Sequence, residues 1–246
     1  MSGHSKWATI KHAKGAADAK RGKVFTKLIK EISIAARMGG GSPESNPKLR
    51  TAILKARGAN MPKDNIDRAI KKGTGELEGV NYEELVYEAY APGGVAVFIE
   101  VLTDNKNRAA ADIRNLLTKS GGQLATSGAV SRLFKRQGLI TLDGEKYTED
   151  AVMEAALEGG AEDISSSDGI IEVISSPEDF EPVMNALQSK NFETMSAEIS
   201  MIADVDVTLD NDATAKILRL IERLEENDDI QNVYTNISIP DGYEGE

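Results

Sequence analysis

The sequence predicts a multidomain α+β protein: an N-terminal three-helix domain, an α+β domain, and a ferredoxin-like βαββαβ domain inserted into the second. Three observations carry that expectation. Through the first 72 residues the apolar positions recur at helical spacing. Beyond a glycine-bearing linker from Gly73 to Gly79 they change to strand-like runs bounded by turn residues. Between residues 130 and 203 the elements follow the order strand, helix, strand, strand, helix, strand, which is the ferredoxin-like unit. The expected domains are 1–76, 77–129 together with 204–246, and 130–203.

Taken in order, the first helix is amphipathic. With Lys23 at 0° and 100° per residue, Lys20, Lys23, Lys27, Lys30 and Arg37 fall within about 100° of one another. Val24, Phe25, Leu28, Ile29, Ile32, Ala35 and Ala36 spread around the other side, and only Ile34 lands among the cations. The stretch Gly39 to Pro47 reads as a loop, with Asn46 as N-cap and Pro47 as first helical residue of a second helix. That helix places Leu49, Ala52, Ile53 and Ala56 on one face, and Met61-Pro62 breaks it. A short third helix carries Ile66, Ala69 and Ile70 and is expected to end at Gly73.

Tyr82 to Tyr90 and Val95 to Thr103 flank Pro92-Gly93-Gly94 and read as a hairpin. A helix over Arg108 to Ser120 follows. The βαββαβ unit places strands up to Leu142, near Asp163, over Ile170 to Ile174 and over Ala197 to Ile202, with helices over Thr148 to Glu158 and Pro177 to Lys190. A helix over Asp212 to Glu226 and a strand over Val233 to Ile239 cannot bury their apolar faces alone. The economical solution returns them to the sheet of residues 80–125, which makes the βαββαβ unit an insertion.

Charge is unevenly divided. The chain carries −11 overall, yet residues 1–72 hold +12 and the remainder −23. Such a division points to a polyanion partner for the basic end only. Other classes find little support. The absence of cysteine excludes disulfides and thiolate chemistry and suits a reducing cytoplasm. No signal peptide is visible, and no apolar run approaches the roughly 18 residues of a membrane span. His4 and His12 lack the spacing of a zinc site, and neither G-x-x-x-x-G-K-[ST] nor G-x-S-x-G occurs. The acidic run Glu225 to Asp229 reads as a solvated helix end. The expectation is a non-enzyme with no catalytic residues, cofactor or metal.

The candidate nucleic-acid contacts are Lys6, Trp7, Lys11, His12, Lys14, Lys20, Arg21, Lys23, Lys27, Lys30 and Arg37. From Lys6 to Lys27 only Asp18 opposes the cations. Trp7, the only tryptophan, has no apolar periodicity around it and can stack on an unpaired base. The stretch Asn105-Lys106-Asn107-Arg108 is a candidate secondary anion site at a helix N-terminus. Its plain alternative is helix capping by Asp104, Asn105 or Asn107.

The wording of the chain also resembles a known family. "GHSKWATIKHAKGAADAKRGKVFTKLIKEI", "NMPKDNIDRAIKKG", "YEAYAPGGVAVFIEVLTDNKNR", "MEAALEGGAED" and "SAEISMI" resemble, in that order, the YebC family, which includes the mitochondrial translational activator of cytochrome c oxidase. The resemblance spans essentially the full chain and implies the same three domains. It further implies a non-enzymatic, nucleic-acid-binding regulator of gene expression of the DNA-binding transcriptional type. The alternative it carries is a ribosome- or RNA-associated translation factor contacting ribosomal or transfer RNA. Unlike mitochondrial members, the chain opens directly at the motif, so a bacterial-type cytoplasmic monomer is expected.

The stacking role of Trp7 is testable. Trp7→Ala is expected to leave stability nearly unchanged and to lower affinity for unpaired RNA by roughly 1–3 kcal/mol, with a smaller effect on a paired duplex. A loss of roughly 3–5 kcal/mol in stability would instead mark a core residue.

Overall fold

The computed structural model describes residues 18–167, 169–240 and 243, with backbone alone for 18–21. Helices α1 (Asp18–Gly39), α2 (Pro47–Gly58) and α3 (Lys63–Thr74) form the first unit. Asn46 joins α1 to α2: its Oδ1 accepts from the Leu49 amide at 3.1 Å, while Nδ2 donates to the Ala35 and Gly40 carbonyls at 2.8 Å each. That satisfies a helix start and a helix end with one buried side chain. The core of the unit is built from Leu28, Ile32, Leu49, Ile53, Met61 and Ile66 with small alanines between them.

Helices α1 and α3 lie backbone against backbone. Ser33 Oγ donates to the Ala69 carbonyl at 3.0 Å. A Cβ on Gly73 would lie 2.3 Å from the Ser33 carbonyl oxygen and 2.8 Å from Ala36 Cβ. The sequence pattern ends the third helix at Gly73, but the helix runs on to Thr74 and the left-handed terminus is Gly75, at φ 84°. Gly73 is glycine because of the close approach, not because of its dihedrals.

The second unit is a sheet of order β3-β1-β2-β9, with β1 (Glu83–Ala91), β2 (Val95–Thr103), β3 (Gln123–Leu124) and β9 (Ile230–Thr235). Helices α4 (Lys106–Lys119) and α7 (Asn211–Glu225) cover one face, packing Ile113, Leu117, Ile217 and Ile221 onto Val97, Ile99 and Val101. Strand β2 is central and almost wholly buried, which explains its unbroken apolar run. A two-residue parallel pair joins β8 (Val207–Thr208) to β10 (Ile237–Ser238). The strand expected over Val233 to Ile239 starts earlier, at Ile230, and is interrupted at Asn236. Asn236 turns its amide to distant segments of the chain: Oδ1 accepts from the Ala96 amide at 2.7 Å, and Nδ2 donates to the Val205 carbonyl at 3.1 Å.

Between β3 and β8 the chain builds a second sheet of order β5-β6-β4-β7, from β4 (Phe134–Asp143), β5 (Ala161–Ser167), β6 (Ile170–Ser175) and β7 (Thr194–Ala203). Helices α5 (Glu149–Glu158) and α6 (Phe180–Ser189) cover it through Val152, Ala155, Val183 and Leu187. All pairings are antiparallel, as a ferredoxin-like unit requires. The pairing of β9 with β2 closes the first sheet after this insertion, with Tyr234 opposite Phe98.

An apolar junction joins the two sheets. Phe98 lies 6.0 Å from Phe134 and 6.2 Å from Tyr234 between ring centroids, with Val130 and Ala96 alongside. Beside it, buried Glu88 accepts from the amides of Gly128 at 2.7 Å, Ser131 at 2.8 Å and Val130. Burial pushes the Glu88 carboxyl up, but those three donors together hold it below the usual range. The connecting segment is thereby tied to β1.

Gly73→Ala is expected to destabilise the helical unit by about 1–3 kcal/mol, because the inserted methyl has no room beside Ser33 and Ala36. That is opposite in sign to the gain of about 1 kcal/mol for glycine to alanine inside an ordinary helix. Urea unfolding of the two proteins measures it.

Candidate nucleic-acid interface

The cationic stripe of α1 does exist on one side of the helix, but most of its described members face protein. Lys23 Nζ donates to the Glu226 carbonyl at 3.1 Å and Lys27 Nζ to the Glu225 carbonyl at 2.7 Å. Lys30 is buried, with Nζ 2.8 Å from the Asp228 carbonyl, 3.3 Å from the Leu102 carbonyl and 2.9 Å from Asp229 Oδ1. Arg37 donates to Asn81 Oδ1 at 2.7 Å and to the Tyr82 carbonyl. The stripe therefore meets the C-terminal end of α7. That end exposes carbonyls without intrahelical partners and carries the negative end of the helix dipole, so ammonium groups are the natural cap.

In this structure Lys23, Lys27 and Lys30 join the helical unit to the first sheet, and Arg37 joins it to the linker. One expectation is corrected. The acidic run from Glu225 to Asp229 is not a purely solvated helix end, since Asp229 is buried. Ile34 carried the signal: it sits within the stripe and is 6% exposed, so that side of α1 is covered.

Asp229 is the centre of the contact. Oδ1 accepts from Lys30, and Oδ2 accepts from Arg108 Nη2 at 2.8 Å and Nε at 3.1 Å. The loop is fixed by the Asp229 amide donating to Asn227 Oδ1 at 2.9 Å and by its carbonyl accepting from the Leu102 amide at 2.8 Å. Burial raises the Asp229 carboxyl, but Lys30 and Arg108 outweigh it and hold the group below the usual carboxylate range. Arg108 is raised in turn, chiefly by its hydrogen bonds to Asp229 and Asp104.

The candidate secondary anion site resolves in the same way. Asn105 caps α4, its Oδ1 accepting from the Arg108 amide at 3.0 Å. Arg108 is held by Asp229 and, at 2.7 Å, by Asp104. Lys106 and Asn107 are exposed beside them. Lys6, Trp7, Lys11, His12 and Lys14 lie outside the described residues, as do the side chains of Lys20 and Arg21.

A second set of cations was underread in the sequence. Lys63, Arg68, Lys71 and Lys72 on α3, with Lys48 and Arg57 on α2, are exposed and make no ion pair among the described residues. At 100° per residue Arg68, Lys71 and Lys72 lie opposite Ile66, Ala69 and Ile70, interrupted by Asp64 and Asp67, while Lys63 falls at the edge of the apolar side beside Ile70. A face count of residues 63–74 would have found them. Lys72 also borders a cleft of about 420 Å³ between α1 and the linker, lined by Ile29, Ser33, Glu78, Val80 and Tyr82. Among the described residues no group of acidic and histidine side chains could hold a metal ion, and no helix is long and apolar enough to cross a membrane.

Residues 5–76 match the TACO1/YebC protein N-terminal domain, and residues 82–237 match the TACO1/YebC second and third domain. The chain belongs to the TACO1/YebC family. Among its relatives, a protein of Treponema denticola is 66% identical over 99% of both chains, and one of Treponema pallidum is 64% identical over 98% of both. Each bears the name "probable transcriptional regulatory protein". The crystal structure of a conserved hypothetical protein from Aquifex aeolicus superposes with a TM-score of 0.82 at 44% identity, over 93% of this chain and 95% of that one. The same three-unit architecture thus recurs in that solved structure.

Asp229→Ala strands Lys30 in a buried site and is expected to destabilise the protein by about 3–5 kcal/mol. Because the Asp229 carboxyl is depressed, its stabilisation is present above the ordinary carboxylate range and is lost as pH falls through its folded value. Denaturant unfolding at a series of pH values should show that acid-side loss in the wild type and a smaller one in Asp229→Asn.

Proposed function

We propose that this TACO1/YebC-family protein is a nucleic-acid-binding regulator of gene expression, acting without catalysis as a DNA-binding transcriptional regulator. The observation that carries the reading is the +12 of residues 1–72 set against −23 elsewhere, together with the exposed cations of α2 and α3. Six side chains that protein groups leave unpaired within the described residues suit phosphate oxygens, which position a protein on its target. Helices α2 and α3 are joined by the short segment 59–62, and α3 presents its charged side outward. The acidic units would be repelled by the same polyanion, so docking through the helical unit alone is electrostatically consistent. The names of the relatives agree with a regulatory role.

Binding of the full chain to duplex DNA and to structured RNA, measured at matched salt, tests the reading and separates it from the RNA-associated alternative. Replacing Lys63, Arg68, Lys71 and Lys72 with glutamine is expected to flatten the log–log salt dependence by about 3–4 units. The melting temperature should hardly move, since exposed substitutions each change stability by about 0.5 kcal/mol or less. Undiminished affinity would reject the surface, and a preference for RNA would favour the translational alternative.

A further inference from the structure

The two junctions of this molecule differ in kind. The two sheets share an apolar cluster in which Phe98 and Tyr234 of the first meet Val130 and Phe134 at the start of the second. Among the described residues no such cluster crosses from the helical unit: its core runs over residues 25–70, and the core of the first sheet is separate. The described contacts between the helical unit and the first sheet are chiefly polar, the α1 stripe lying on the carbonyls of residues 225–228 and on Asp229, with Ile34 buried within the stripe. Between the units runs an exposed segment, residues 74–81, containing the left-handed Gly75, and the cleft beside Lys72 leaves the seam partly open. A chiefly polar interface beside an exposed connecting segment is the kind that permits relative motion of the parts.

The contacts are also graded. Lys30 is buried, Lys27 half-buried and Lys23 exposed. Their partners are carbonyl and carboxylate oxygens, the same acceptor chemistry that a phosphate backbone offers. We propose that this junction is a latch operated by nucleic acid: the end of α7 and Asp229 occupy the α1 stripe in the closed form, and the phosphate backbone takes Lys23 and Lys27 when the helical unit swings away. The proposal rests on the nucleic-acid reading above and adds its regulation. Among the described residues, the closed form offers the cations of α2 and α3 to the ligand; opening adds the stripe. Apparent affinity then scales with the open fraction, so weakening the latch from the far side strengthens binding.

The test uses the full chain, which contains no cysteine, with exposed Leu54→Cys and Lys216→Cys carrying a donor–acceptor fluorophore pair on α2 and α7. Saturating polyphosphate, or a short duplex DNA, is expected to lower energy transfer. Asp229→Asn should show low transfer from the outset and bind duplex DNA roughly three- to ten-fold more tightly, with a salt slope steeper by about two units for the two added lysines. Exposed Glu222→Gln on α7 removes the same single charge without touching the junction and should stay within about two-fold of wild type. Tighter binding by both variants alike would reduce the effect to net charge and overturn the latch. So would an opened Asp229→Asn that binds no better, or wild-type transfer that ignores saturating polyphosphate. If the wild type binds neither duplex DNA nor structured RNA, the functional reading fails; the polyphosphate titration still decides the latch and needs no change at Asp229.

Discussion

Asp229 is an acidic side chain taken almost entirely out of water, a placement tolerated only when its oxygens find hydrogen-bond donors, and here both find charged ones. Lys30 comes to it from the helical unit and Arg108 from the first helix of the α+β unit, so one carboxylate ties together α1, α4 and the turn between α7 and β9. Removing Asp229 strands the buried Lys30, whereas removing either cation leaves Asp229 paired with the other. The positions of Asn227 and Leu102 follow from this need, because they hold the turn in the shape that aims the carboxylate. The orientation of the basic unit relative to the rest of the molecule therefore hangs on a polar contact whose strength depends on pH and on competing anions.

The other junction follows a different logic. Glu88 is also a buried carboxylate, but its donors are backbone amides of the segment 128–131, close to the entrance of the inserted unit. Amide donors carry no net charge and cannot be drawn away by a passing phosphate. With the rings of Phe98, Phe134 and Tyr234 packed alongside, that junction joins the two sheets through buried apolar area rather than through ion pairs. The chain thus uses a carboxylate at each boundary, one clasped by backbone amides and one shared between two cationic side chains.

Legibility in the sequence followed the range of the interactions. The helices, the hairpin and the βαββαβ order were readable because apolar periodicity is a local property, and the return of the last helix and strand to the first sheet followed from their unburied faces. Boundaries failed where a single residue had a distant partner. Gly73 looked like a helix terminus because Ser33 and Ala36 lie far off in sequence, and Asn236 broke a strand through Ala96 and Val205. The site was less legible. A row of lysines looks the same whether it faces solvent, phosphate or the end of another helix, and only Ile34 among them hinted at cover. Asp229 was hidden in an acidic run whose neighbours Glu226 and Asp228 are exposed.

The charge map gains a different meaning once the stripe is seen to be covered. An acidic protein with a basic end faces a choice between attracting its ligand and attracting itself, and opposite charges in one chain are at high effective concentration. Here part of the basic end is satisfied internally by Asp229 and the α7 carbonyls, while the α2 and α3 cations remain outside. On the proposed reading such an arrangement would moderate non-specific attraction to polyanions, because the α1 stripe would meet them only at the cost of breaking its own contacts. Discrimination between targets would then arise less from base contacts, which flexible lysines make poorly, than from whether a target presents enough phosphate in the right shape to compensate for opening the junction. On the proposed reading, a structured, charge-dense nucleic acid would meet that condition better than a lone strand of random shape, which would let a single cationic unit act selectively.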